Sequence, residues 1–308
     1  MVACSNDPRQ ALRGAALQMP DDVLCPICRQ GAVRYSEIQH AVYFRCPSCA
    51  TIFQNPVPKI ADMKEYANGE YTQGLYKAYL QARELKYATF RERVRHMRAR
   101  SQGGRLLDVG CASGFLIDIA LASGFDAYGI EFSEAAVQAA SEQAAPRIRV
   151  ADVNEIEATS GRPFDVVTAF DIVEHTLDPM EFIRGLRACL VPGGLLVVTT
   201  PDTRHFLRYL MGSRWPMLQP YQHTVLFSRK SMGLALEAGG FVDLSFSSAR
   251  KVLTPDYLMA QVEGYLPLLA STYRALTFAL PARLRRTAIP VGIGEMMVFA
   301  RRAVGPDV

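Results

Sequence analysis

The sequence predicts an α/β protein: a doubly wound, seven-stranded, mainly parallel sheet, preceded by a small cysteine-rich module. Three observations predict it. From Gly104 onward, short apolar runs alternate with helical ones. A small-residue turn, Gly110-Cys111-Ala112-Ser113-Gly114, joins the first such run to the first helix. Two C-x-x-C pairs stand before the alternation begins. The chain has 308 residues, 49% hydrophobic and 21% charged, which excludes wholesale disorder and allows one large core plus a small module. Its net charge of +4 does not by itself imply a nucleic-acid partner. No apolar run reaches the ~18 residues of a spanning helix, and the N-terminus lacks a secretory signal, so a cytoplasmic protein with reduced thiols is expected.

In chain order, residues 1–20 read as a flexible leader and 21–58 as the cysteine module, with strands near Ala32–Tyr35 and Ala41–Phe44. Residues 59–103 read as a helical linker or lid, rich in tyrosine from Tyr66 to Tyr87, with Phe90, Val94 and Met97 at helical spacing. Residues 104–308 form the α/β domain. Its strands are predicted at Arg105–Val109, Ala127–Glu131, Ile148–Ala151, Phe164–Phe170, Leu195–Thr200, Phe241–Phe246 and Met296–Ala300. Helices are predicted at Phe115–Ser123, at Ser133–Gln143 with Ser133 as N-cap, and at Met180–Leu190. Two stretches break the alternation, 204–228 and 251–293.

Cys25-Pro26-Ile27-Cys28 and Cys46-Pro47-Ser48-Cys49 are separated by 17 residues. Each turn can put two thiolates on one ion, and a hairpin between them closes a tetrahedral zinc site. Four thiolates leave no open position, so this zinc is structural. A redox C-x-x-C needs one pair beside a strand–helix unit, which is absent here. Cys111 and Cys189 read as packing residues.

The small residues of Gly110–Gly114 let backbone approach a ligand closely at a helix N-terminus. Glu131 ends the next strand, where a carboxylate can hold the two hydroxyls of an adenosine ribose. Asp152 follows the third strand and can accept from an adenine amine. Asp108, just before the turn, suits an ammonium. A dinucleotide site needs G-x-G-x-x-G, and the spacing here departs from that register.

DVGCASGF, GIEFS, the Asp152 position, FDVVTAFDIVEH and PGGLLVVTTPD together resemble a class I S-adenosylmethionine-dependent methyltransferase, Rossmann-like in fold, over about residues 104–250. VEHTLDP and QHTVLFS are similar to the group containing the ubiquinone O-methyltransferases, and CPIC…CPSC resembles members with an N-terminal zinc ribbon. The resemblance implies that Gly110, Ala112 and Gly114 line the methionine part of the cofactor, Glu131 the ribose and Asp152 the adenine. Asp108, Phe132, Val153 and Phe170 complete the expected cofactor set.

The sulfonium already activates its methyl group, so the protein must align the acceptor and take its proton. His175, at the end of the fourth strand, is the first candidate base, and His223 the second. Either histidine could instead orient a loop. Ubiquinone-type relatives also carry an acidic-x-x-Glu-His arrangement associated with a divalent ion, which maps to Asp171, Glu174 and His175. Otherwise Glu174 or Asp171 caps the following helix.

The expected activity is transfer of a methyl group to a small-molecule hydroxyl. A zinc-ribbon RNA methyltransferase, a small-molecule C-methyltransferase and a non-catalytic cofactor-binding scaffold are the alternatives. The row Arg91, Arg93, Arg95, Arg98 and Arg100 favours RNA, or is simply a solvated helix face. The missing Asn/Asp-Pro-Pro-aromatic turn argues against nucleobase chemistry. The acceptor pocket is expected under a lid made of Tyr66–Tyr79, of 204–228 with Trp215, Tyr221 and His223, and of part of 251–293. The last stretch could also dimerise, meet an anionic membrane surface, or pack as two helices on the sheet.

Overall fold

The structure is a computed structural model, and it describes residues 23–60, 62–63, 80, 82–101, 103–152, 162–220, 222–263, 267–278 and 280–305. The leader, Cys4, Tyr66–Tyr79, Val153 and Tyr221 lie outside the described residues.

The main sheet has seven strands: β4 (Gly104–Val109), β5 (Phe125–Glu131), β6 (Ile148–Val150), β7 (Phe164–Phe170), β8 (Leu190–Pro201), β10 (Phe241–Leu253) and β11 (Ile289–Arg302). The order across it is β6-β5-β4-β7-β8-β11-β10. β4 to β8 run parallel, while β11 runs antiparallel to both β8 and β10. The chain winds outward from β4 in one direction, then from β7 in the other. The crevice at that reversal, outside the strands' carboxyl ends, is where such sheets take ligands.

Both faces of the sheet are covered, so adjacent residues of one strand enter different cores. Leu106, Val166 and Val197 face the core that α1 (Arg83–Arg98) and α2 (Phe115–Ala122) cover. Leu107, Val167 and Val198 face the core of α4 (Pro179–Ala188) and α6 (Arg229–Ala238). Asp178 caps α4 by accepting from the Met180 and Glu181 N–H groups, and Pro179 occupies the first turn. Neither Asp171 nor Glu174 caps that helix. Ser133 caps α3 (Glu134–Gln138) as expected, but the helix stops at Gln138 rather than Gln143.

The N-terminal module forms its own antiparallel sheet from β1 (Val33–Ile38), β2 (Ala41–Arg45) and β3 (Ile52–Gln54). Its fourth strand is β9 (Val225–Leu226), contributed by the 204–228 stretch. That stretch also carries α5 (Phe206–Met211). Trp215, expected over the pocket, is instead buried against Tyr43, Ile52, Leu218 and Leu226. Cys25, Phe44, Cys46, Cys49 and Phe53 share a core with α4 and α6. Hydrogen bonds sew the junction: Ser228 Oγ donates to Cys49 O, Thr203 Oγ1 to Ala50 O and Lys230 Nζ to Ser48 O.

β10 and β11 are much longer than predicted, so both ends of the 251–293 stretch are strand. Their pairing from Arg250↔Gly292 to Leu253↔Ile289 continues past the β8–β11 ladder, whose last rung is Glu295↔Pro201. This arm carries α7 (Pro255–Val262), α8 (Pro267–Thr277) and α9 (Ala282–Arg285).

The arginine row on α1 is not one solvated face. Arg93 is buried at 3% exposure, and Arg100 stacks over Phe299 at 4.0 Å.

Leu226 is fully buried in the shared sheet. Leu226→Ala is expected to cost about 2–5 kcal/mol in urea unfolding and to shift one common transition. Two separate transitions, with only the module's shifted, would show that the seam does not couple the parts.

Candidate functional site

The turn after β4 needs left-handed backbone. Gly110 has φ +73°, and a Cβ there would stand 2.2 Å from Ile172 Cδ1, so any other residue is strained and must displace Ile172. Ala112 adopts φ +48° despite its methyl group. Its N–H donates to Glu131 Oε2 at 2.8 Å, while Ser133 N–H donates to Oε1 at 3.0 Å. One buried carboxylate thus ties the turn after β4 to the turn after β5. Burial pushes the Glu131 carboxyl above its usual range.

Asp108, at the end of β4, is buried and accepts from Thr168 Oγ1 at 2.7 Å. Burial raises its pKa to about 7. Gly114 sits at the N-terminus of α2, and Asp152 lies half-buried just past β6. Phe132 follows Glu131 and is half-buried. Phe170 ends β7, stacked on Phe90 with ring centroids 6.2 Å apart. The expected cofactor residues that are described therefore gather around the carboxyl ends of β4, β5, β6 and β7.

No motif marks three further residues there. Arg93 lies 4.5 Å over the Phe170 ring and 4.0 Å from Asp171 Oδ2. Its Nε and Nη2 make no hydrogen bond among the described residues. Lys251 of β10 reaches Asp171 at 3.2 Å and Glu295 of β11 at 2.5 Å. Arg93 stood in the sequence only as one of the arginine row Arg91, Arg93, Arg95, Arg98 and Arg100. Lys251 and Glu295 carried no such signal.

Asp171 has φ +58° and accepts from Thr199 Oγ1 at 2.7 Å. Burial opposes its charge, but Lys251 and Arg93 overcome that and hold it well below the usual carboxylate range. Its carboxylate is committed to these cations, which removes it from the metal set expected with Glu174 and His175.

His223 takes its place. Glu174, His175 and His223 each bring a ligand atom within 4.8 Å of the others. The imidazoles meet edge to face, 4.8 Å between centroids. His175 Nδ1 faces Gln222 O at 3.1 Å, and His223 Nδ1 faces Met217 O at 2.7 Å. A carbonyl can only accept, so each Nδ1 carries the proton, and the His175 ring has a second backbone partner in Asp171. Burial lowers the pKa of both rings, that of His223 to about 3 with His175 adding to the effect. Both are neutral at pH 7. Glu174 is buried and accepts from Thr200 Oγ1 at 2.9 Å; burial, then Asp171, pushes its carboxyl well up.

The four module cysteines also converge. Sγ–Sγ distances are 3.6 Å for Cys25–Cys49, 3.5 Å for Cys28–Cys46 and 3.4 Å for Cys28–Cys49. Four sulfurs about 2.3 Å from one tetrahedral zinc would stand roughly 3.8 Å apart, so the set fits the ion. The facing Cys25, then burial, push the Cys49 thiol up to about 12, and the same contact lowers that of Cys25.

Residues 79–245 match a family model described as a methyltransferase domain. A ubiquinone biosynthesis O-methyltransferase of Caulobacter sp. (strain K31) is 37% identical over 123 residues, 38% of this chain and 48% of that protein. One from Cereibacter sphaeroides (strain ATCC 17025 / ATH 2.4.3) is 34% identical over 122 residues, 38% of this chain and 49% of that protein. The chain thus spans about half the length of the curated relatives it matches. Among solved structures, a SAM-dependent methyltransferase from Archaeoglobus fulgidus aligns with TM-score 0.50 at 16% identity, covering 75% of this chain and 99% of that one. That likeness concerns the fold.

Elemental analysis of chain purified without chelator should find one zinc per molecule, and Cys46→Ser should lose it. Metal-free wild type with the module folded would remove the assignment.

Proposed function

Because the chain belongs to the family described as a methyltransferase domain, we propose that it transfers a methyl group from S-adenosylmethionine to a hydroxyl oxygen of a small, hydrophobic molecule. The observation that carries this reading is the Glu131 carboxylate, buried at the crevice and already oriented by Ala112 and Ser133 N–H groups. The Phe132 N–H adds a third bond, which leaves the carboxylate one lone pair for a ribose hydroxyl. The similarity to O-methyltransferases of ubiquinone biosynthesis supports oxygen as the acceptor atom and a hydrophobic acceptor.

The residues divide the work by charge. Asp108 receives the ammonium of the methionine part; at a pKa of about 7 it gives up its proton when that cation arrives. Arg93, buried with no hydrogen bond on Nε or Nη2 and only a 4.0 Å ion pair to Asp171, receives the carboxylate. Asp152 meets the adenine amine. When bound, S-adenosylmethionine supplies a methyl group that needs no further activation, so alignment and proton removal remain. His175 takes the acceptor's proton on its imidazole, which Gln222 O orients through Nδ1. Buried Glu174 and His223 shield the pair from water.

A second reading has its own observation in the Glu174–His175–His223 cluster. A divalent ion held there would lower the pKa of a phenol. Loss of turnover on chelation, restored by a divalent metal, would select this reading over the metal-free base.

Glu131→Ala should weaken S-adenosylmethionine binding by about 1.5–3 kcal/mol in calorimetry. His175→Ala should keep that affinity and lose about 10²–10⁴ in turnover. In the wild type, turnover should rise with pH through a value below the ordinary histidine pKa, then plateau by neutrality, and this step should vanish in the variant. Unchanged binding in the first variant, or unchanged turnover in the second, would contradict the respective role. The acceptor itself is found by mass spectrometry of a metabolite extract treated with enzyme and methyl-labelled cofactor.

A further inference from the structure

The arm built on β10 and β11 presents a surface that the methyl-transfer reading does not use. Between Glu263 and Glu295 the sequence holds four arginines, Arg274, Arg283, Arg285 and Arg286, and no acidic residue. The two acids carried earlier on the arm are already answered. Arg274 pairs with Glu263 at 2.8 Å, and Arg285 lies 3.5 Å from Asp256. Arg283 and Arg286 are exposed and form no salt bridge among the described residues. The same stretch carries large exposed apolar side chains: Leu268 at 82% exposure, Leu276 at 76%, Phe278 at 87% and Leu284 at 58%. Such a concentration is costly on a free surface and marks a contact face.

We propose that this arm docks on an anionic lipid bilayer, with Leu276, Phe278 and Leu284 entering the headgroup layer and Arg283 and Arg286 meeting lipid phosphates. The charge decides the occupant. An acid-free, arginine-bearing segment is repelled by a second copy of itself and attracted by a negative surface. No helix among the described residues is long and apolar enough to cross a membrane, so the contact lies in the interface plane. The arm leaves the sheet at the carboxyl end of β10, which runs parallel to β8. It therefore projects from the edge that carries the candidate site, and docking would bring that edge to the lipid surface. The proposal stands on the arm alone and does not need the methyl acceptor to be identified.

Co-sedimentation of the full chain with vesicles tests it. Vesicles of phosphatidylcholine with about a third phosphatidylglycerol should bind, phosphatidylcholine alone should not, and high salt should release the protein. Arg283→Ala with Arg286→Ala should weaken binding about twenty-five-fold, at about fivefold per arginine. Leu276→Ser with Phe278→Ser should also lose it. All four positions are exposed, so S-adenosylmethionine affinity and circular dichroism should stay at wild-type values and report an intact fold. No binding, equal binding to both vesicle types, or binding untouched by all four substitutions overturns the proposal. So does a dimer in solution that Phe278→Ser dissolves, since the face would then belong to a second copy.

Discussion

One residue joins the three parts of this molecule. Thr224 N–H donates to Glu174 O, and its Oγ1 donates to Thr176 O, which pins the loop after β7. Its own carbonyl accepts from Gln54 N–H, at the end of the module's third strand. Gln54 Nε2 adds a bond to His223 O. Every group in this knot is buried, so each bond left unmade would strand a polar atom away from water. The cysteine module, the 204–228 stretch and the loop carrying Glu174 and His175 are thereby held in one register. The histidine pair is a product of that register, because His175 comes from the loop after β7 and His223 from the 204–228 stretch that the module holds in place.

The electrostatics of the edge follow from burial. Asp108, Glu131 and Glu174 are all pushed toward the neutral form, while Asp171 keeps its charge through Lys251 and Arg93. Lys251 in turn stays charged because Asp171 and Glu295 outweigh its burial. Carboxyl groups whose charge burial disfavours are ready for a cationic ligand, since charge on the ligand restores charge on the acid. Two neutral imidazoles beside them are ready for a proton or a metal.

Some of this was legible in the sequence. The turn from Gly110 to Gly114 and the acids at successive strand ends are local, and local chemistry reads directly from spacing. The four cysteines were legible for the same reason. Other parts depend on distant partners. β9 is a two-residue strand that exists only because β3 lies beside it. Asp171 looked like a metal ligand until Lys251, 80 positions away, claimed its carboxylate. Arg93 sat in a row of arginines, and only packing against Phe170 separates it from its solvated neighbours. Trp215 suggested a substrate wall and turned out to be a wedge in the module's core. In each case the deciding contact comes from another element of the fold.

The central claim is that the module is part of the site's framework. Hydrogen exchange on Cys28→Ser, which disturbs the module at its metal-ligand cluster, tests it most directly. The account predicts that lost protection spreads across the seam to the Thr224, Val225 and Leu226 amides and to His175 and Thr176, while Leu106–Val109 stays protected. Loss confined to residues 23–54 would contradict it.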